Sequence, residues 1–121
     1  MNHNLTGRMG ENAAARWLEV KGYRIEARNF RAGRSEVDII AWDTRTGALV
    51  FVEVKTRASD AFGGPEGAVN ARKMDRMARA AGVYMDLIGH EGELRFDIVS
   101  VLMRRGVVLD IRHFEDVFFP M

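Results

Sequence analysis

The chain contains no cysteine, and its three histidines, His3, His90 and His113, are scattered along its length. A tetrahedral zinc centre or an iron–sulfur cluster needs clustered thiolates or imidazoles, so neither is expected. Also missing are a Walker loop, a dinucleotide glycine fingerprint and a G-x-S-x-G elbow, which removes the common nucleotide, hydride and serine-hydrolase readings. No apolar run approaches the roughly 20 residues of a membrane span, and the first residues lack the apolar core of a signal sequence. A cytoplasmic protein without a membrane partner is the simplest expectation. Excess charge is absent too: 18 Lys+Arg against 17 Asp+Glu leave a formal net charge of +1. Any cationic footprint for nucleic acid must therefore be local. No long Pro/Gly/Ser stretch marks a linker and no internal repeat is visible, so residues 1–121 are expected to form one domain. A chain of this size buries roughly two-thirds of its unfolded surface, enough for a single core.

What is present is an unusual strand. Val50-Phe51-Val52-Glu53-Val54-Lys55-Thr56-Arg57 places an acid and an amine two positions apart in an apolar run. A strand has a side-chain period of two, so Glu53 and Lys55 share one face while Val50, Val52 and Val54 share the other. An ion behind Leu49 and Phe51 costs several kcal/mol unless something compensates it. The pair is either a structural ion pair or part of a metal site.

A second strand candidate lies upstream. In Glu36-Val37-Asp38-Ile39-Ile40-Ala41-Trp42 the same rule puts Glu36 and Asp38 on one face, with Val37, Ile39 and Ala41 on the other. Asp43-Thr44-Arg45-Thr46-Gly47 is rich in turn formers, so the two strands read as an antiparallel hairpin. Pairing can then bring Asp38 beside Glu53. Carboxylates so placed are hard oxygen ligands that suit Mg²⁺ or Mn²⁺. A lysine beside them can hold an attacking hydroxide or a developing phosphorane oxygen.

Helices frame the hairpin. The first is predicted from about Leu5 to Lys21, ending at Gly22, with Met9, Gly10, Ala13, Ala14, Trp17, Leu18 and Val20 on its buried arc. Glu11 lies on the border of that arc. The second is predicted from Pro65-Glu66 to about Ile88, with Met74, Met77, Ala81, Tyr84 and Ile88 as its core stripe. Arg72, Arg76 and Arg79 form a ridge away from that stripe; alone, such a ridge is a solvated face. Lys73 points nearer the Met77 side and either snorkels or looks into a cleft. Ala58 to Gly64 reads as a loop. Further strands are predicted over Tyr23–Phe30, Leu94–Leu102 and Val107–Arg112, with a turn at Arg104-Arg105-Gly106. Phe30 and Trp42 read as core or rim residues, and His113 has no evident partner. The sum is an α/β fold, a mixed central sheet of about five strands flanked by two main helices, with the second helix as a crossover.

Gly7-Arg8-Met9-Gly10-Glu11, Arg28-Asn29-Phe30-Arg31, Glu36-Val37-Asp38-Ile39-Ile40 and Phe51-Val52-Glu53-Val54-Lys55-Thr56-Arg57, in this order, resemble the YraN-like family of bacterial proteins. Phe62-Gly63, Lys73 and Arg95-Phe96-Asp97 continue the match over almost the whole chain, with Ser35 where the family usually has glycine. That family is similar to the restriction-endonuclease-like PD-(D/E)xK fold, and within it to archaeal Holliday-junction resolvases. The resemblance implies a metal-binding pair at Asp38 and Glu53, Lys55 as the catalytic lysine, and Glu11 as an added acid.

The leading expectation is a metal-dependent nuclease acting on phosphodiester bonds in structured or damaged DNA. Asp38, Glu53, the Val54 carbonyl and Glu11 would hold Mg²⁺ or Mn²⁺, with Glu36 as a helper. Lys55 would steady the nucleophile, and Arg57, Arg72, Lys73 and Arg76 would grip the nucleic-acid backbone. The alternatives are a nucleic-acid-binding module without turnover, and an interaction protein that keeps the acidic patch as a relic. A homodimer is compatible with each.

Overall fold

The computed structural model describes residues 3–58 and 71–117. Its elements are α1 (His3–Val20), β1 (Tyr23–Ala32), β2 (Ser35–Asp43), β3 (Leu49–Arg57), α2 (Ala71–Ile88), β4 (Leu94–Arg104) and β5 (Val107–Phe114). The strands form one sheet in the order β1-β2-β3-β4-β5, with β3 and β4 parallel and every other neighbouring pair antiparallel. This is a mixed α/β architecture with five strands and two main helices. A parallel pair needs a crossover, and α2 lies in it. The Pro65-Glu66 start expected for the second helix, and most of the Ala58–Gly64 loop, fall outside the described residues.

Turn chemistry accounts for the antiparallel connections. Gly33 (φ 63°) and Gly47 (φ 80°) supply left-handed backbone at the β1–β2 and β2–β3 turns. Arg105 (φ 51°) and Gly106 (φ 77°) do so between β4 and β5, two consecutive positive values as a tight hairpin requires.

The helices cover opposite faces. Ala14, Ala15 and Leu18 of α1 pack with Ile39, Ala41, Val50, Val52, Val99 and Val101. Met77, Ala80 and Ala81 of α2 pack with Val37, Ile40, Leu49, Phe51 and Phe96. Alternation along β3 thus sends Val50 and Val52 toward α1, and Leu49 and Phe51 toward α2. Gly10 brings α1 onto the sheet: a methyl group there would overlap the Thr56 side chain of β3.

Several expectations need correction. Val20 is 84% exposed and Ile88 44% exposed. Both are the last residues of their helices, where the buried arc runs out into solvent. Val37 packs toward α2 rather than alongside Ile39 and Ala41. The break falls opposite Asn29, whose φ of 53° interrupts the pleat of β1 between the pairs Phe30–Val37 and Arg28–Ile39. Both outer strands are irregular, with register shifts at Ile25/Ala27 in β1 and opposite Leu102/Met103 in β5.

Candidate functional site

The site begins where two central strands part. The β2–β3 register runs from Trp42–Leu49 to Ile39–Val52 and ends there. One residue beyond, the Val54 amide donates to Asp38 Oδ2 at 2.8 Å, so a side chain replaces the strand neighbour. The opening leads into a cleft of about 460 Å³ walled by Arg34, Glu36, Asp38, Glu53, Arg72, Lys73, Arg76 and Met77. The β2–β3 hairpin supplies the acids and α2 supplies three of the cations.

Burial first, and the Glu53 carboxylate second, raise the Asp38 carboxyl from 3.8 to about 7. The Val54 amide pulls the other way, while Glu11 and Glu36 add to the rise. Asp38 therefore sits among like charges that a cation would neutralise. Glu53, its side chain 10% exposed, already has one: Lys73 Nζ pairs with Glu53 Oε1. Glu36 is held more loosely, by Arg31 at 3.3 Å.

The expected residues divide into groups. Asp38, Glu53, Glu36, Arg72, Lys73 and Arg76 come together in one cleft. Glu11 is buried against the other face of the sheet edge, where Oε1 accepts from Arg28 Nε and Asn29 Nδ2, both at 3.0 Å. Its charge still reaches Asp38. The left-handed Asn29 that breaks β1 is therefore also a ligand of Glu11. Lys55 lies two residues beyond Glu53, half-buried and in register with Ser100; among the described residues it is not part of the cleft wall. Val54 turns its side chain toward the α1-side core. Arg57 lines a different groove, of about 700 Å³, with Leu5, Met9, Met103, Arg104 and Arg105. Arg34 is a cleft residue not singled out in advance as a site residue; its place in the turn just before Glu36 and Asp38 is the signal that identifies it.

A second polar cluster was not anticipated. His113 Nε2 lies 2.7 Å from Asp97 Oδ2, beneath the rings of Trp17 and Tyr23. Arg95 donates to both Asp97 oxygens at 2.9 Å and to Asp43 at 3.1 Å, and meets Glu115 at 3.1 Å. Burial would raise the Asp97 carboxyl, but hydrogen bonds from His113, Arg95 and the Asp116 amide outweigh it and hold it low. Asp97, His113 and Glu115 offer ligand atoms within 4.8 Å of one another. The Arg95 guanidinium already supplies the positive charge there, so a metal would have to displace it. The other candidate is the pair Asp38 and Glu53 in the cleft. Its donors are hard carboxylate oxygens, which fit Mg²⁺ or Mn²⁺ better than a soft metal.

The fold and site define a mixed α/β protein with a charged cleft at the fork of two central strands, its acids on the β2–β3 hairpin and a basic helix along its wall. The chain belongs to the family described as Uncharacterised protein family UPF0102, matching it over residues 10–101. That span contains Glu11, Asp38, Glu53, Lys55 and Lys73. Proteins of the same description include one from Bacteroides thetaiotaomicron, 44% identical over 98% of this chain and 95% of its own length. Another, from Prosthecochloris aestuarii, is 45% identical over 97% and 94%. A third, from Solibacter usitatus, is 48% identical over 81% and 75%. Among the described residues, no helix is long and apolar enough to cross a membrane.

Proposed function

We propose that this chain is a divalent-metal-dependent nuclease of the restriction-endonuclease-like type, akin to archaeal Holliday-junction resolvases, hydrolysing phosphodiester bonds in structured or damaged DNA. One observation carries the reading. Asp38 and Glu53 share a cleft at a strand fork, with the Asp38 proton held up to about 7 and Glu53 pairing with an ammonium. Two crowded carboxylates of this kind are hard oxygen donors of the type a divalent cation takes. The order of helix, three-strand meander, crossover helix and strand pair is compatible with the fold that the sequence resemblance implies.

Asp38 and Glu53 would hold a divalent cation, which would supply Lewis-acid polarisation and offset phosphate charge. The Val54 amide fixes the Asp38 carboxylate in the fork. Arg34, Arg72 and Arg76 on the cleft wall present guanidinium donors to backbone phosphates, contacts that position a strand without reading its sequence. Lys55 is assigned to the nucleophile by its place after Glu53. Glu11, anchored by Arg28 and Asn29, biases the site electrostatically from behind.

The test is a panel of branched, flapped and single-stranded DNAs with Mg²⁺ or Mn²⁺, repeated in excess chelator. Cleavage should require the metal, and Lys55→Met should lower it by roughly 10²-fold or more while leaving folding and binding intact. Metal-independent or absent cleavage on every DNA and RNA substrate replaces this reading with a nucleic-acid-binding module.

A further inference from the structure

We propose that Lys73 is a tethered stand-in for the metal: it holds Glu53 until a divalent cation takes its place, and the released ammonium then engages substrate phosphate. The inference rests on the nuclease reading above and adds a coupling between metal and nucleic acid that the reading alone does not require.

The geometry is asymmetric in a telling way. The Glu53 side chain is 10% exposed, whereas that of its partner Lys73 is 33% exposed. A carboxylate so enclosed needs a counter-charge, and the fold brings one from a different element, 20 positions along the chain, rather than from Lys55 on the same strand. Lysine is a compact point charge on a flexible stem, suited to swinging away once its site is contested. An ammonium and a divalent ion cannot both sit against the same carboxylate oxygen without strong repulsion. Metal entry at Oε1 therefore displaces Lys73. Its neighbours on the cleft wall, Arg72 and Arg76, flank the region where a phosphate would lie. A phosphate bound there gives the displaced ammonium a new partner, so each ligand makes room for the other, and the coupling is reciprocal.

The measurement is Mn²⁺ binding, by electron paramagnetic resonance and by calorimetry, to wild type, Lys73→Met and Arg79→Met, each without and with a phosphorothioate DNA duplex that resists cleavage. Without DNA, Lys73→Met should bind Mn²⁺ about tenfold more tightly than wild type, the scale of one partly buried competing ion pair. Arg79→Met, which removes an exposed cation of α2 outside the cleft wall, should match wild type. Adding duplex should tighten Mn²⁺ binding to wild type severalfold and leave Lys73→Met unchanged. Circular dichroism checks the fold, and Lys73→Gln, which keeps a donor without the charge, provides the same comparison if Lys73→Met folds poorly. Equal or weaker Mn²⁺ binding by the Lys73 variants, with wild type still binding, overturns the exchange and leaves the metal site standing. Mn²⁺ binding to none of the proteins overturns the exchange together with the nuclease reading.

Discussion

Asp38 stands in for a strand neighbour of Val54: its carboxylate accepts the Val54 amide at 2.8 Å just past the last β2–β3 pair. The bond lets two central strands separate without leaving a buried amide unmatched, which would cost about 1–3 kcal/mol. It also fixes one carboxylate oxygen at the mouth of the cleft.

Asp38→Asn keeps an oxygen for that amide and removes one of the crowded charges. Metal-free stability at pH 8 should stay equal or rise by about 1–2 kcal/mol, on the scale of one pKa unit of relieved repulsion. Urea denaturation in chelator measures it. Mn²⁺ should raise the wild-type Tm and barely move that of the mutant. A loss of several kcal/mol with no metal response in either protein would assign Asp38 to a structural ion pair instead.

The same carboxylate gives a pH signature. Its folded pKa, about 7, lies above the ordinary value of 3.8. Below that ordinary value both folded and unfolded forms hold the proton, and the contribution to stability is fully present. As pH rises toward 7 the unfolded chain has released its proton while the native chain retains it, so stability falls across this window. Above 7 the effect levels off. Asp38→Asn should flatten this slope in metal-free denaturation profiles. Mn²⁺ affinity should climb to about pH 7 and then plateau, because the ligand must be ionised.

Around Arg95 the sign is reversed. Burial opposes ionisation of Asp43, but hydrogen bonds from Arg45 and Arg95 prevail and lower its pKa to about 2. Asp97 is also held low. Their contribution is present above the usual carboxylate range and is lost as pH falls toward 2. Arg95→Met removes the cation shared by two buried carboxylates, leaving Arg45 on Asp43 and His113 on Asp97, and should cost about 1.5–3 kcal/mol near neutral pH, read by denaturant titration. A loss below about 1 kcal/mol would show that the network is not a structural anchor.

Arg72 and Arg76 should act through salt. If both touch phosphates, replacing them with glutamine should weaken duplex binding for all sequences alike. The slope of log affinity against log salt should shrink by up to about two units, near 0.9 per lost contact. An unchanged slope would move the nucleic-acid path elsewhere, with the Arg57, Arg104 and Arg105 groove as the next place to look.

Gly10→Ala tests the seating of α1. The new methyl would meet Thr56 Oγ1, with the Thr56 Cβ and Cγ2 each 3.0 Å away. Overpacking of this kind should cost about 1–3 kcal/mol in thermal or chemical melts. Adding Thr56→Ala should return part of that loss, and strict additivity of the two changes would mean that the helix does not rest on this contact.

Much of the fold was legible in the sequence because local chemistry dictates it. Gly47 and the polar residues before it announce the β2–β3 turn, and the alternation of Leu49 to Glu53 assigns each side chain to a helix. The cleft was partly legible for the same reason: parity and a short turn suffice to suggest that Asp38 lies near Glu53. What escaped depends on tertiary context. No periodicity shows that Lys73 rather than Lys55 meets Glu53, since that follows from how α2 lies across the sheet. The His113–Asp97 contact joins neighbouring antiparallel strands in a register that composition does not encode. Val37 changed face opposite a left-handed residue on the adjacent strand, which no alternation in β2 announces.

The irregular outer strands have a consequence for how copies of this protein behave toward each other. An uninterrupted edge strand is a template for another chain, and open sheets in crowded solution are prone to grow by accretion. β1 is broken by its register shift and by Asn29, and it carries Arg24, Glu26 and Arg28; β5 has its own shift and carries Asp110 and Arg112. Neither rim presents a straight row of amides to a newcomer. The same left-handed Asn29 that steadies Glu11 thus also interrupts the rim at β1.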